Sequence, residues 1–217
     1  MNRVIAVDGP TASGKGTLAR RLAAHFGFDW LDTGGLYRAT ALRVIRSGEA
    51  RDDVEAAVNA AKGIRPEDLA DPELRAEATG NMASAVAAMQ PVRDALFQYQ
   101  RDFAARPPGG RGAVLDGRDI GTVICPDADA KLFITASAEV RARRRFDELA
   151  AKGQDVSLET VLEDLRARDA RDSGRENAPL KPADDAVLID TSELDIEAAF
   201  STALEACLAR WNGEGAG

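Results

Sequence analysis

Short apolar runs and longer amphipathic stretches take turns along this chain. Val4-Ile5-Ala6-Val7-Asp8, Ala113-Val114-Leu115-Asp116, Lys131-Leu132-Phe133-Ile134-Thr135 and Ala186-Val187-Leu188-Ile189-Asp190 are dense in apolar residues and lack regular polar alternation. Strands buried on both faces read this way. Between them the period changes. Leu18, Leu22 and Phe26 recur at a four-residue step, which predicts a helix over Lys15–Phe26 closed by Gly27 as its C-cap. Further helices are predicted over Leu36–Arg46, Asp53–Ala61, Val92–Ala105, Ala138–Ala151, Ser157–Arg171 and Ile196–Trp211. Trp30-Leu31-Asp32 leads from the first helix into Thr33-Gly34-Gly35. The polar segment Gly63–Pro91, broken by Pro66 and Pro72, predicts only short helices, and Pro107-Pro108-Gly109-Gly110 a loop. The tail Gly213–Gly217 is expected to fray. No hairpin signal joins the apolar runs, so the pattern predicts an α/β three-layer fold with a parallel sheet flanked by helices. Ligands in such folds bind at the carboxyl ends of the strands, which makes the residues after each run the candidates.

Length and charge narrow this picture. A chain of 217 residues fits a single domain over 1–217. Its net charge of −8 argues against a nucleic-acid partner, which would need a basic face. Cys125 and Cys207 stand far apart without C-x-x-C spacing, so neither a disulfide staple nor a zinc site is expected. No basic-then-apolar leader opens the chain, and no apolar run reaches bilayer length. The expectation is a reduced, cytoplasmic monomer with no membrane partner. His25, the single histidine, is accounted for as a cation near a helix C-terminus.

The first candidate site follows the first apolar run. Gly9-Pro10-Thr11-Ala12-Ser13-Gly14-Lys15-Gly16-Thr17 is a glycine-framed loop between a strand and a helix, the setting of a phosphate-binding loop. Glycines let successive N–H groups converge, the helix offers its positive end, and lysine adds a full charge. Lys15 would bridge the β- and γ-phosphates of a nucleoside triphosphate. Gly16 fills the position where a hydroxyl usually holds magnesium, and Thr17 brings the hydroxyl one residue later. Mg2+ would then be held partly through water, by Asp32 or Asp116. Either carboxylate could equally cap a helix or a turn.

Two later motifs, Leu31-Asp32-Thr33-Gly34-Gly35-Leu36-Tyr37-Arg38 and Asp116-Gly117-Arg118-Asp119-Ile120-Gly121-Thr122-Val123, stand in order behind the loop. With Asp8-Gly9-Pro10 and Gly14-Lys15-Gly16-Thr17 they resemble the bacterial cytidylate kinases over nearly the whole chain. The resemblance implies a phosphate-loop kinase fold with a small helical monophosphate-binding insert (63–91) and a lid (143–176). It implies transfer of the γ-phosphoryl of ATP to CMP or dCMP, with Mg2+. It places Arg38, Arg118 and Arg175 on the CMP phosphate, and Asp32, Thr33, Arg168 and Asp172 around the nucleotide and its sugar. Asp119 and Ser84 would face the cytosine amino group and Arg93 its acceptor edge. Uracil reverses both polarities, so such a pocket would reject it. The insert is shorter than in longer family members, which carry strands there.

Arg141, Arg144 and Arg145 share a helical face, and Arg168, Arg171 and Arg175 recur at three- and four-residue steps with Asp164, Asp169 and Asp172 interleaved. By itself this pattern is that of a salt-bridged helix exterior. In a phosphotransferase it supplies cations to the transferring group, and Arg141 and Arg144 are the candidates for ATP contact. Lys15, Arg118, Arg141, Arg144 and Arg175 are the catalytic candidates. No general base is needed, because the incoming phosphate oxygen is already anionic. The alternatives are a kinase for UMP, AMP, shikimate or gluconate, or a non-catalytic nucleotide-binding switch. A guanine-reading switch would carry Asn-Lys-x-Asp, and no Asn-Lys pair occurs.

Overall fold

A computed structural model of the protein describes residues 2–213, with Glu77 described by its backbone alone. Five strands form one sheet: β1 (Arg3–Asp8), β2 (Asp29–Asp32), β3 (Gly112–Gly117), β4 (Ala130–Thr135) and β5 (Val187–Asp190). Their order is β2-β3-β1-β4-β5 and every pairing is parallel. Four of these are the apolar runs. The fifth, β2, was not counted among the sequence's strands. It is a four-residue edge strand with an aspartate at each end and one buried residue, too short to show a period.

Among the described residues eight α-helices accompany the sheet: α1 (Lys15–Phe26), α2 (Thr33–Ser47), α3 (Val54–Lys62), α4 (Glu77–Val86), α5 (Gln90–Ala105), α6 (Ala138–Ala151), α7 (Leu158–Ser173) and α8 (Ile196–Trp211). Alternate residues of β1 serve opposite faces. Ile5 and Val7 pack under α1 and α8 with Leu18, Leu22, Ala199 and Ala203, while Ala6 joins Leu36, Leu96 and Leu115 beneath α2 and α5. Fully burying each large side chain of this kind is worth about 1.5–3 kcal/mol. A third, smaller core of Ala142, Leu149, Val161 and Leu165 joins α6 to α7. No described helix is long and apolar enough to cross a membrane.

Several boundaries move for local reasons. α2 starts at Thr33 rather than Leu36, because the Asp32 carboxylate accepts the Gly35 N–H as an N-cap and carries two glycines into the first turn. α5 starts at Gln90, with Pro91 in its first turn, where a missing N–H costs nothing. Residues 63–91 hold two 3₁₀ turns (Pro66–Ala70 and Pro72–Arg75) and then α4, as their composition suggests. A single π-helical turn, Ile120–Ile124, follows β3 without having been foreseen. Residues 214–217 of the expected frayed tail lie outside the described residues.

Gly9 is where β1 turns into the loop, at φ 153°, and a Cβ there would overlap the carbonyl oxygen of Ile134 on β4. Gly9→Ala must therefore push the loop away from β4. Urea unfolding is expected to show a loss of about 2 kcal/mol or more.

Candidate active site

The carboxyl ends of β1, β2 and β3 open into one cleft of about 620 Å³, bounded on the far side by α4, α6 and α7. The loop between β1 and α1 forms its floor. Ala12 (φ 61°) and Gly14 (φ 87°) lie in the left-handed region, which turns successive amides inward as an anion-binding nest. Lys15 opens α1 and its Nζ donates to the carbonyl of Pro10 at 3.2 Å. Burial pulls the Lys15 ammonium down to about 7, and the neighbouring Arg118 charge adds to this. Asp116 is pushed up to about 6 by burial and by the Asp32 charge.

The two carboxylates proposed for magnesium are already engaged. Asp32 caps α2 and ion-pairs with Arg38. Asp116 accepts from the Trp30 indole N–H at 2.8 Å. Both line the cleft beside Lys15. No group of three or more His, Cys, Asp or Glu able to hold a metal occurs among the described residues. A cation carried in by phosphate oxygens and completed by water plus one or two carboxylates fits such a donor set.

The candidates for the acceptor phosphate and sugar converge from three elements. Arg118, just after β3, donates to Thr11 Oγ1 at 2.7 Å and to Asp172 Oδ2 at 2.9 Å. Arg175 reaches Asp172 Oδ1 at 2.5 Å. Burial raises the Asp172 carboxyl, but Arg118 and Arg175 outweigh it and hold the group below its ordinary range. Arg168 also lines the cleft, and burial lowers its affinity for a proton. Thr33 is buried, with its hydroxyl donating to the Asp116 carbonyl at 2.8 Å. A chain of net charge −8 thus gathers Lys15, Arg38, Arg118, Arg144, Arg168 and Arg175 around one cleft.

At the end near α5, Arg93 and Asp119 form a buried ion pair between residues far apart in sequence. Burial raises the Asp119 carboxyl and the Arg93 charge draws it back down. Ser84, on α4, has a buried hydroxyl with no hydrogen-bond partner among the described residues. Tyr37 completes the corner, its ring centroid 6.0 Å from the Arg93 guanidinium carbon and its phenol pushed up to about 12 by burial.

The arginines of α6 part company. Arg144 and Arg145 line the cleft, Arg144 being held by the hydroxyl and carbonyl of Thr191 at 3.0 and 2.7 Å. Arg141, expected to share their position, does not line it. Its side chain is buried against the carbonyls of Ala136 and Thr11 and forks onto Asp169 at 3.2 and 2.7 Å. In this structure Arg141 supports the loop from behind. Trp30 and Tyr37 were not singled out. Trp30 sits two residues before Asp32 at the end of a strand, and recognising β2 would have drawn attention to it.

Known proteins resemble this chain in sequence and in fold. The sequence model described as cytidylate kinase matches residues 5–208. A cytidylate kinase from Paramagnetospirillum magneticum is 56% identical over 94% of this chain and 97% of its own length. One from Methylocella silvestris is 59% identical over 93% and 92%. A third, from Xanthobacter autotrophicus, is 59% identical over 97% and 99%. The crystal structure of an uncharacterized protein from Eubacterium ventriosum superposes with a TM-score of 0.54 at 16% identity, covering 96% of this chain and 99% of that one, a likeness of fold. With residues 5–208 matched by that model and more than nine-tenths of its length by these relatives, this chain belongs to the cytidylate kinase family.

Proposed function

We propose that this chain transfers the γ-phosphoryl group of ATP to CMP or dCMP, giving ADP and CDP or dCDP. The observation that carries the reading is a single cleft with a lysine-bearing phosphate loop at one end and a buried acceptor–donor corner at the other. The loop amides and Lys15 bind the ATP phosphates, and Arg118 and Arg175, aimed by Asp172, fork onto the acceptor phosphate. Asp119 and the Ser84 hydroxyl accept from the cytosine amino group, while Arg93 donates to its N3 and O2 edge. Arg144 adds positive charge where the transferring group spreads negative charge, with Arg141 fixing the loop that holds the donor. Residues 63–91 and 143–176 are the two parts that fold over the substrates and exclude water. Asp32, Asp116 and Thr17 would hold Mg2+, mostly through water, and the ion would neutralise charge on the donor phosphates.

ADP release from ATP with CMP, dCMP, UMP and AMP in parallel tests the substrate. Turnover with CMP and dCMP well above that with UMP and AMP is expected. A preference for AMP or UMP would overturn the cytosine assignment.

The state of Lys15 adds a pH dependence. With its ammonium pulled down to about 7, the free enzyme loses that charge as pH rises past 7, and ATP must bind together with a proton. The kcat/KM for ATP is expected to fall above pH 7, approaching about tenfold per pH unit, with kcat at saturating ATP holding to higher pH. Parallel pH profiles of the two parameters check this.

A further inference from the structure

Asp8 ends β1 and directly precedes Gly9, the root of the phosphate loop, yet it does not line the cleft. It is 4% exposed. Its Oδ1 accepts the backbone N–H of Ile120 and its Oδ2 that of Gly121, each at 2.8 Å. Those two amides begin the π-helical turn, and the residues immediately before them are Arg118 and Asp119. On the other side of this short segment, Arg118 is tied to Thr11 of the loop. The stretch Gly117–Gly121 is therefore sewn to the phosphate loop at both ends, and Asp8 is one of the two stitches.

A carboxylate is an expensive residue to put there. Burial pushes its carboxyl up to about 7, and the nearby Asp119 charge adds to this, while the two N–H donors pull it back. An uncharged cap would escape both costs. Only a carboxylate, however, offers an acceptor oxygen to each amide at once. Fixing both amides fixes the direction in which the chain leaves β3, and with it the placement of Asp119.

We propose that Asp8 is a positioning residue for acceptor recognition. By clamping the Ile120 and Gly121 amides to the root of the phosphate loop, it sets where Asp119 and Arg118 meet the nucleoside monophosphate relative to Lys15. The inference rests on the cytosine-reading function proposed above. A displacement of about 1 Å in such a framework is enough to cost up to a hundredfold in rate.

Asp8→Asn tests it, because the amide keeps the shape but turns a donor toward one of the two N–H groups. The ratio of kcat/KM for CMP to that for UMP is expected to fall about tenfold, carried by KM for CMP, with KM for ATP within about twofold of wild type. A lowered Tm with an unchanged ratio and unchanged KM for CMP would overturn the proposal, leaving Asp8 as framework only. Should Asp8→Asn fail to fold, Gly121→Ala decides. Its Cβ would lie 3.4 Å from Asp8 Oδ2 and 3.2 Å from Lys131 Cδ, crowding the clamp without removing the charge. A fall of about threefold in the same ratio supports the clamp, and an unchanged ratio overturns it. Wild-type enzyme without a preference for CMP overturns the cytosine reading and this inference together. A preference kept in the variant that folds overturns this inference alone.

Discussion

Lys15→Met will lower kcat for CMP phosphorylation by about 10³-fold or more while leaving the protein folded. The lysine follows directly on the nest of loop amides and lines the cleft with Asp32 and Asp116, whose charges it feels. Without it, the γ-phosphoryl group would develop its charge beside two carboxylates and lose its nearest counter-charge. Removing a single preorganised stabiliser of this kind costs about 10²–10³ in rate, and the uncompensated carboxylates add to that. The folded state loses little, because among the described residues the ammonium makes one direct hydrogen bond, to the Pro10 carbonyl. Burial already disfavours its charged form, so the native state gains nothing from keeping it charged. Thermal unfolding in the absence of nucleotide is therefore expected to give a Tm equal to or above that of wild type. A variant that keeps turnover within about tenfold would remove the phosphate loop from the mechanism.

How much of this was legible beforehand depended on the distance between the groups involved. β1, the loop and α1 are contiguous, and their strand, turn and helix patterns each carry their own physical signal. α6 and α8 were equally plain, because an amphipathic period over many residues is hard to mistake. β2 escaped because an edge strand of four residues takes its extended form from pairing with β3 rather than from its own pattern. That Arg141, unlike Arg144, does not line the cleft escaped for a related reason. Helical spacing gives them a common face but does not say what that face meets. Near the start of α6 it meets the carbonyls of Ala136 and Thr11, and nearly a full turn on it meets the cleft. Asp32 showed the opposite case. Both readings open to it, cap and cleft carboxylate, are compatible with its position, since one oxygen caps α2 and the other pairs with Arg38. The corner of Arg93, Asp119 and Ser84 joins α5, the end of β3 and α4, and no local pattern brings those together. Only the family resemblance suggested their association.

That corner carries the second large expectation, in which stability and selectivity come apart. Asp119→Ala is expected to lower kcat/KM for CMP by about 10²-fold or more and to change that for UMP far less, because the buried acceptor proposed to face the amino group is lost. It should also destabilise the fold by about 3–5 kcal/mol, since it leaves the Arg93 guanidinium buried without its partner. Taken alone, a loss of activity would not distinguish base reading from a weakened fold. The double variant Arg93→Met/Asp119→Leu separates them. Replacing a buried ion pair by apolar side chains of similar volume is often neutral or stabilising, so urea unfolding should return most of the lost stability. It cannot return the acceptor proposed for the amino group or the donor proposed for N3. Stability is expected to recover while the preference for CMP over UMP stays collapsed. If both recover, the pair is a brace and the base is read elsewhere. If neither recovers, the apolar pair fails to fill the space, and Asp119→Asn, which keeps the volume and one acceptor oxygen, must then show the selectivity loss in a stable protein.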